Sequence, residues 1–266
     1  MKTKKVVLVT GGTSGIGEAV VRNLAEKGCT VYECSRRAEG TVPGAKHLSC
    51  DVTDEAQVQA AVDKVVAEAG RIDVLVNNAG FGISGAIEFT ESADAKKQFD
   101  VNFFGLVNMN HAVLPVMRKQ KSGRIVDISS VAAPIAIPFQ AYYSASKAAI
   151  LSYSLALLNE VRPFGIKVVT ILPGDIKTGF TAAREKSIAG DDIYGGRISR
   201  SVAVMEHDEQ NGIDPADAAE VIVKQALTRR PKTVCTIGSS YKLFVLLSRL
   251  VPYNPMYRIV GMIYGK

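Results

Sequence analysis

Apolar and polar positions alternate along the first two thirds of the chain between two periods. Short apolar runs bounded by glycine or polar turns recur at residues 5–10 (KVVLVT), 30–35 (TVYECS), 73–80 (DVLVNNAG), 123–130 (GRIVDISS) and 166–174 (IKVVTILPG). Runs of this length and continuity predict strands buried on both faces. Between them lie stretches with apolar residues at helical spacing: 15–28, closing on Gly28; 55–70, closing on Gly70; 91 to about 119; and 143–165. A glycine just past the last periodic residue is a helix stop. Strands alternating with helices predict an α/β fold with a parallel sheet covered on both faces, linked by right-handed crossovers.

No repeat or low-complexity linker divides the 266 residues, so the pattern predicts a single domain over 1–266. A less regular stretch at 178–213 is expected to act as a substrate lid, since long irregular segments inside compact domains are usually functional. Hydrophobic residues make up 47% and charged residues 22%, enough for a sizeable core. The formal net charge of +6 is spread thinly. Its densest clusters, Lys2, Lys4 and Lys5, then Arg118, Lys119 and Lys121, are too short to indicate nucleic-acid binding, though they suit an anionic cofactor. Cys29, Cys34, Cys50 and Cys235 form no CxxC and share no metal-ligand spacing with the three histidines, which predicts reduced thiols, no metal and a cytoplasmic location. The short apolar run at the start predicts no signal peptide, and no run reaches the ~18 residues that span a bilayer.

Chemistry enters at TGGTSGIG (10–17), between the first strand and the first helix. Gly11, Gly15 and Gly17 let the backbone turn and approach a ligand, and the helix start offers unpaired N–H groups to phosphate. That position predicts a dinucleotide site. The second strand ends in Ser35, Arg36 and Arg37, with no acid in the turn. A guanidinium suits the extra phosphate of NADP, whereas NAD sites place an acid there. The expectation is therefore NADP(H) over NAD(H), with Glu33 two residues earlier as the residue that could oppose it.

Tyr143 and Lys147 in YSASK lie four apart, on one helical face. Lowering a phenol from about 10 to neutrality requires roughly 4 kcal/mol. An ammonium about 5 Å away supplies roughly 3 kcal/mol at an effective dielectric near 20. With a cofactor's positive nicotinamide ring adding the rest, such a tyrosine could protonate a carbonyl oxygen or accept an alcohol proton. Tyr142 has Ser146 one turn on and lacks the cation.

Taken in order, TGGTSGIG, NNAG (77–80), ISS (128–130), YSASK and PG (173–174) resemble the short-chain dehydrogenase/reductase family over about the first 180 residues. The resemblance implies a Rossmann-type doubly wound parallel sheet and an oxidoreductase. It implies that Tyr143 is the general acid/base, that Ser130 orients the substrate, and that Lys147 tunes the tyrosine and binds the nicotinamide ribose. Asn102 would hold a water in the proton relay. Gly11, Thr13, Ser14, Gly15, Ile16 and Gly17 would cradle the pyrophosphate. Asp51 and Val52 would line the adenine pocket; Asn78 would support the central strand of the cofactor site, with Ala79 and Gly80 passing close to the adenosine; and Pro173, Gly174, Ile176 and Thr178 would close over the nicotinamide. Asp127 stands where the family often has asparagine, with no catalytic consequence expected.

The C-terminal extension 241–266 is apolar and aromatic, with four basic residues and no acid. One reading packs it over the cleft or a subunit interface; the other makes it a peripheral membrane contact. Lid and tail loosely resemble the 17β-hydroxysteroid dehydrogenase-like and retinol dehydrogenase-like branch. That implies a hydrophobic ketone, aldehyde or secondary alcohol as substrate, and family analogy implies a homodimer or homotetramer. The rival reading is a non-catalytic dinucleotide-binding sensor or scaffold.

Overall fold

The structure, a computed structural model, describes residues 4–265. Lys2 of the first basic cluster and Lys266 of the C-terminal extension therefore lie outside the described residues.

The apolar runs become parallel strands. In chain order the elements are β1 (Val6–Thr10), α1 (Gly15–Glu26), β2 (Thr30–Ser35), β3 (Lys46–Ser49), α2 (Glu55–Ala69), β4 (Val74–Asn77) and β5 (Ile83–Ser84). Then come α3 (Ser92–Phe99), α4 (Gly105–Gln120), β6 (Gly123–Ile128), α5 (Ala141–Val161), β7 (Ile166–Pro173), α6 (Phe180–Ala183) and β8 (Glu185–Lys186). The chain ends with α7 (Arg197–Gln210), α8 (Pro215–Leu227), β9 (Val234–Ile237), α9 (Ser239–Leu250) and α10 (Tyr253–Tyr264). Seven strands form one parallel sheet in the order β3-β2-β1-β4-β6-β7-β9. Alternate residues of β1 feed opposite cores: Leu8 packs with Val62 of α2 and Met109 of α4, while Val7 and Val9 pack with Val21 of α1 and Ile222 of α8. Both faces are apolar, which is why the run carries no polar alternation.

The strand order reverses direction between β1 and β4, and in open α/β sheets ligands bind at the carboxyl ends beside such a reversal. The glycine turn follows β1 and Asn78 follows β4, so the topology alone brings the two predicted cofactor segments together.

Helix ends follow local chemistry. Asp54 caps α2 by accepting from the backbone N–H of Ala56 and Gln57, at 2.9 and 3.0 Å. Gly28 and Gly70 take φ of 77° and 73° where α1 and α2 stop, as the sequence indicated. The helix expected over 91–119 is interrupted: a π-helical turn, Asp100–Phe104, separates α3 from α4. Gly105 at its end sits directly on Val52, where a Cβ would lie 2.5 Å from Cγ2. β3 and β9 escape the pattern reading because they are edge strands; β3 buries only Leu48. The stretch 178–213, expected to be irregular, contains α6, β8 and α7, with β8 pairing β5 in a separate two-stranded sheet.

Asp127 is the one charged residue at the centre of the sheet. It is fully buried, accepts from Asn77 Nδ2 at 2.8 Å and Ser154 Oγ at 2.7 Å, and burial pushes its carboxyl up to about 6. Ser154 has one hydroxyl hydrogen and a second acceptor, Ile150 O, at 2.7 Å. An asparagine here would donate to Ser154 Oγ and release that hydrogen to Ile150. Because the folded-state pKa is raised, the cost of burying the charge is present above about pH 6 and disappears as pH falls below it. Asp127→Asn should raise the melting temperature at pH 8 by several degrees, a gain of about 1–3 kcal/mol. That advantage should shrink to about half near pH 5 and vanish near pH 4, as the unfolded-state carboxyl also protonates; thermal melts across this range check both parts.

Candidate active site

The glycine turn is shaped by what cannot fit. Gly11 adopts φ 66°, and a Cβ on Gly17 would lie 2.1 Å from Gly11 O and 2.4 Å from Asn78 Nδ2. Asn78 ties the turn to β4 by donating its side-chain N–H to Thr10 O and Gly11 O, each at 3.1 Å. Thr10 Oγ1 in return accepts from the backbone of Asn78 and Ala79 at 3.0 Å. Ser14 precedes α1 without making a side-chain cap, so the helix start keeps its N–H groups for an anion. These features fit a dinucleotide pyrophosphate. At the end of β2, Ser35 Oγ is buried without a hydrogen-bond partner, which fits an incoming ribose or phosphate oxygen. Arg37 lines the cavity; Arg36 beside it is exposed. Glu33 keeps one carboxylate oxygen, Oε2, buried against Gly12 without a hydrogen-bond partner. The residue is buried and paired with His47 Nδ1.

One cavity of about 440 Å³, within the size range of small-molecule sites, runs from this turn to the C-terminal tail. It brings together Gly11, Ser14, Gly15, Ile16, Arg37, Asn78, Ala79, Gly80, Ser130, Tyr143, Lys147, Pro173, Gly174, Ile176 and Thr178 of the sequence-predicted set. Thr13, Gly17, Ser35, Arg36, Asp51, Val52 and Asn102 do not line it. Thr13 and Gly17 lie buried beneath the turn, Asp51 Oδ1 accepts from Thr53 N and Oγ1 at 2.9 and 2.8 Å, and Val52 packs under Gly105. Asn102 sits just behind Gly80. Its Oδ1 accepts from Phe81 N at 2.9 Å, and its Nδ2 donates to Phe81 O and Ser146 Oγ at 3.0 and 3.1 Å. The π-helical turn aims this amide sideways out of the helix.

Tyr143 and Lys147 share the inner face of α5, as their spacing indicated. The Lys147 ammonium is buried, 5.6 Å from the Tyr143 ring centre, and donates to Ile128 O at 3.0 Å. Burial lowers its pKa to about 8. Ser130 hydrogen-bonds the Tyr143 hydroxyl. Ser129, its neighbour, is committed elsewhere, donating to Lys147 O at 2.7 Å.

Lys147 does not by itself acidify Tyr143: the phenol is pushed up to about 12. Burial is the main cause, and the Ser130 hydrogen bond only partly offsets it. The Glu209 and Asp175 carboxylates raise it further, against Arg184. Taking a phenolate out of water costs more here than the neighbouring charges return.

Three features were invisible in the sequence. Tyr241 from the tail lies on Gly174, where a Cβ would fall 2.1 Å from the ring, and donates to Asp175 Oδ2 at 2.5 Å. Phe180 of α6 packs against the Tyr143 ring with centres 5.7 Å apart. Arg184, with its side chain fully enclosed, pairs with Glu209, which also accepts from Thr181 Oγ1 at 2.6 Å. The only sequence signal was the acid in PGD, next to a segment already singled out.

The sequence profile of the family described as short chain dehydrogenase matches residues 5–189 of the chain, and those residues hold the turn, Ser130, Tyr143 and Lys147. The chain belongs to the short chain dehydrogenase family. It is 39% identical over 264 residues to a 3-ketodihydrosphingosine reductase of Bacteroides thetaiotaomicron, covering 98% of each chain. It is also similar to the solved structure of a short-chain dehydrogenase from Streptomyces avermitilis. The identity there is 31%, the coverage 98% of this chain and 96% of that one, and the TM-score 0.84. ElxO, solved with NADP bound, is 29% identical with a TM-score of 0.75, covering 91% of this chain and 100% of that one. As a short chain dehydrogenase, the protein is an oxidoreductase that uses a nicotinamide cofactor and acts on a small molecule.

The Arg184–Glu209 pair is what joins α6 to α7 over the cavity of this short chain dehydrogenase. Glu209→Gln leaves a buried guanidinium uncompensated, which costs about 3–5 kcal/mol. The melting temperature should drop by roughly 10 °C. The double change Arg184→Met/Glu209→Leu should recover most of the loss, as differential scanning calorimetry would show.

Proposed function

We propose that the protein reduces the carbonyl of a hydrophobic ketone or aldehyde with NADPH, or oxidises the matching alcohol, using Tyr143 as general acid/base. The observation that carries this reading is Tyr143, Ser130 and Lys147 together in one cavity with the glycine turn. NADP(H), when bound, supplies or accepts the hydride. Ser14, Gly15 and the N-terminus of α1 hold its pyrophosphate, and Ser35, Arg36 and Arg37 meet the 2′-phosphate.

A phenol held near 12 keeps its proton at neutral pH, as a general acid for carbonyl reduction must. Ser130 Oγ hydrogen-bonds the Tyr143 oxygen and is placed to orient the substrate oxygen beside it. As the carbonyl oxygen gains negative charge, Tyr143 Oη gives up its proton. The Lys147 ammonium, one helical turn away, then stabilises the phenolate left behind. Asn102, tied to the Phe81 backbone, holds the wall behind Gly80; its part in the relay that returns a proton rests on the family resemblance.

Ile135, Ile137, Phe180 and Phe244 make the substrate end of the cavity apolar. The Glu209 and Asp175 carboxylates act electrostatically on Tyr143 with a net unfavourable effect on its anion. They disfavour a substrate with an anionic group beside its carbonyl and admit a neutral or cationic one. The similarity to a 3-ketodihydrosphingosine reductase supports a ketone on a long apolar chain as the substrate class. A second copy of the chain pairing along α4 and α5 remains part of the proposal; Phe104 and Leu155 there are exposed.

The test is a ketone panel followed by NADPH absorbance. Tyr143→Phe should lower kcat by about 10²–10⁴-fold with dinucleotide affinity nearly unchanged; full retained turnover overturns the assignment. Arg36→Ala/Arg37→Ala should weaken NADPH binding by about tenfold or more, the worth of one charge-assisted hydrogen bond, while leaving NADH affinity almost unchanged. Lys147 carries its charge below its folded pKa and loses it above. The reductive kcat/KM should therefore fall as pH rises through about 8.

A further inference from the structure

The tail helices turn one side to the cavity and leave the other bare. Val245 of α9 and Met256 and Val260 of α10 pack with Ile135 and Leu172, while Tyr241, Phe244 and Tyr264 line the cavity. On the outer side of α9, Leu243, Leu246 and Leu250 are 58, 52 and 70% exposed. Tyr253, Ile259 and Met262 of α10 are exposed likewise. Of the fifteen exposed large hydrophobic side chains among the described residues, nine belong to this hairpin. Scattered apolar residues on a surface need no explanation, but a concentration of this kind marks a binding face.

We propose that the outer face of the α9–α10 hairpin docks on the surface of an anionic phospholipid bilayer, with both helices lying in the interface and the substrate cavity opening directly beneath them. Three observations select this occupant. Lys242, Arg249 and Arg258 are all exposed on the hairpin, and residues 239–265 contain no Asp or Glu, so the face is complementary to anionic head groups. A second copy of the same face would bring these like charges together across a two-fold contact. Tyr253 and Tyr257 stack with ring centres 6.2 Å apart at the solvent edge, the position that aromatic side chains take at a head-group layer.

Length fixes the mode of contact. Each helix has twelve residues, and no helix among the described residues is long and apolar enough to cross a membrane. An amphipathic pair with an apolar outer face lies in the plane instead. Because Phe244 and Tyr264 wall the cavity from the same two helices, an apolar substrate passes from lipid to Tyr143 by crossing the hairpin alone, without traversing water.

The sequence contains no tryptophan, so Leu250→Trp reports on this face by itself. Full-length Leu250→Trp protein, mixed with vesicles of equal parts phosphatidylcholine and phosphatidylglycerol, should show a blue-shifted emission and co-sediment. Pure phosphatidylcholine vesicles and high salt should weaken both effects. Leu246→Asp/Leu250→Asp should cut vesicle partitioning by about tenfold or more, since it removes apolar area and adds repulsion. The melting temperature and turnover of a water-soluble ketone should not move. Emission and sedimentation indifferent to lipid overturn the proposal. So does a dimer that the double substitution dissociates in the ultracentrifuge without any vesicle binding, which would assign the face to a second copy. Vesicle binding without turnover of any ketone upholds the docking face and refutes the catalytic reading.

Discussion

The active-site geometry is hung from one buried ammonium. Lys147 is 4% exposed, and its Nζ is fixed to the carbonyl oxygen of Ile128 at the end of β6. Burying a charge without a counter-ion is costly, and the drop of its pKa to about 8 expresses that cost. It is tolerated because the inner face of α5 is a seam of small polar residues, each with a partner. Ser144 Oγ accepts from Ile137 N, Ser146 Oγ donates to Tyr143 O, and Ser154 Oγ meets Asp127. Serines in place of leucines let α5 approach the sheet closely, and that approach carries Tyr143 to Ser130. Further along, the same helix buries Ile150, Leu157 and Val161 against the sheet.

The two carboxylates near Tyr143 give the pocket a sign. Burial keeps the phenol protonated at neutral pH, which suits it to donate. The balance would differ with a positively charged nicotinamide nearby, so one side chain can serve both directions of a reversible reaction. The same carboxylates come from different parts of the chain. Asp175 follows β7 and is held by Tyr241 of the tail; Glu209 ends α7 and is held by Arg184. The segments after β7 and around α6 and α7 therefore set the electrostatics around Tyr143, which α5 carries.

Gly174 shows how closely the tail is built into the cleft. Only a residue without a side chain admits the Tyr241 ring above it. The hairpin that delivers this tyrosine presents an equally apolar surface outward, so the two readings of the C-terminal composition, cleft cover and peripheral contact, describe opposite sides of the same two helices. An amphipathic helix normally buries one stripe; here each helix carries two.

The sequence by itself determined the sheet, the glycine turn and the partnership of Tyr143 with Lys147. Each rests on a local rule: strand and helix periods, positive-φ glycine, and four-residue spacing on a helix face. The family resemblance also pointed to Ser130, which the fold brings into one cavity with Tyr143. The sequence did not show the edge strands β3 and β9, whose burial depends on neighbours far along the chain, nor the π-helical turn that aims Asn102. It misjudged the cause acting on Tyr143, because desolvation is a property of everything packed around the ring and no spacing of two residues contains it. Tertiary structure alone decided which acids face the phenol, that Glu33 pairs with His47, and which side of the tail meets the cavity. All of these depend on distances between segments that only the closed fold brings together.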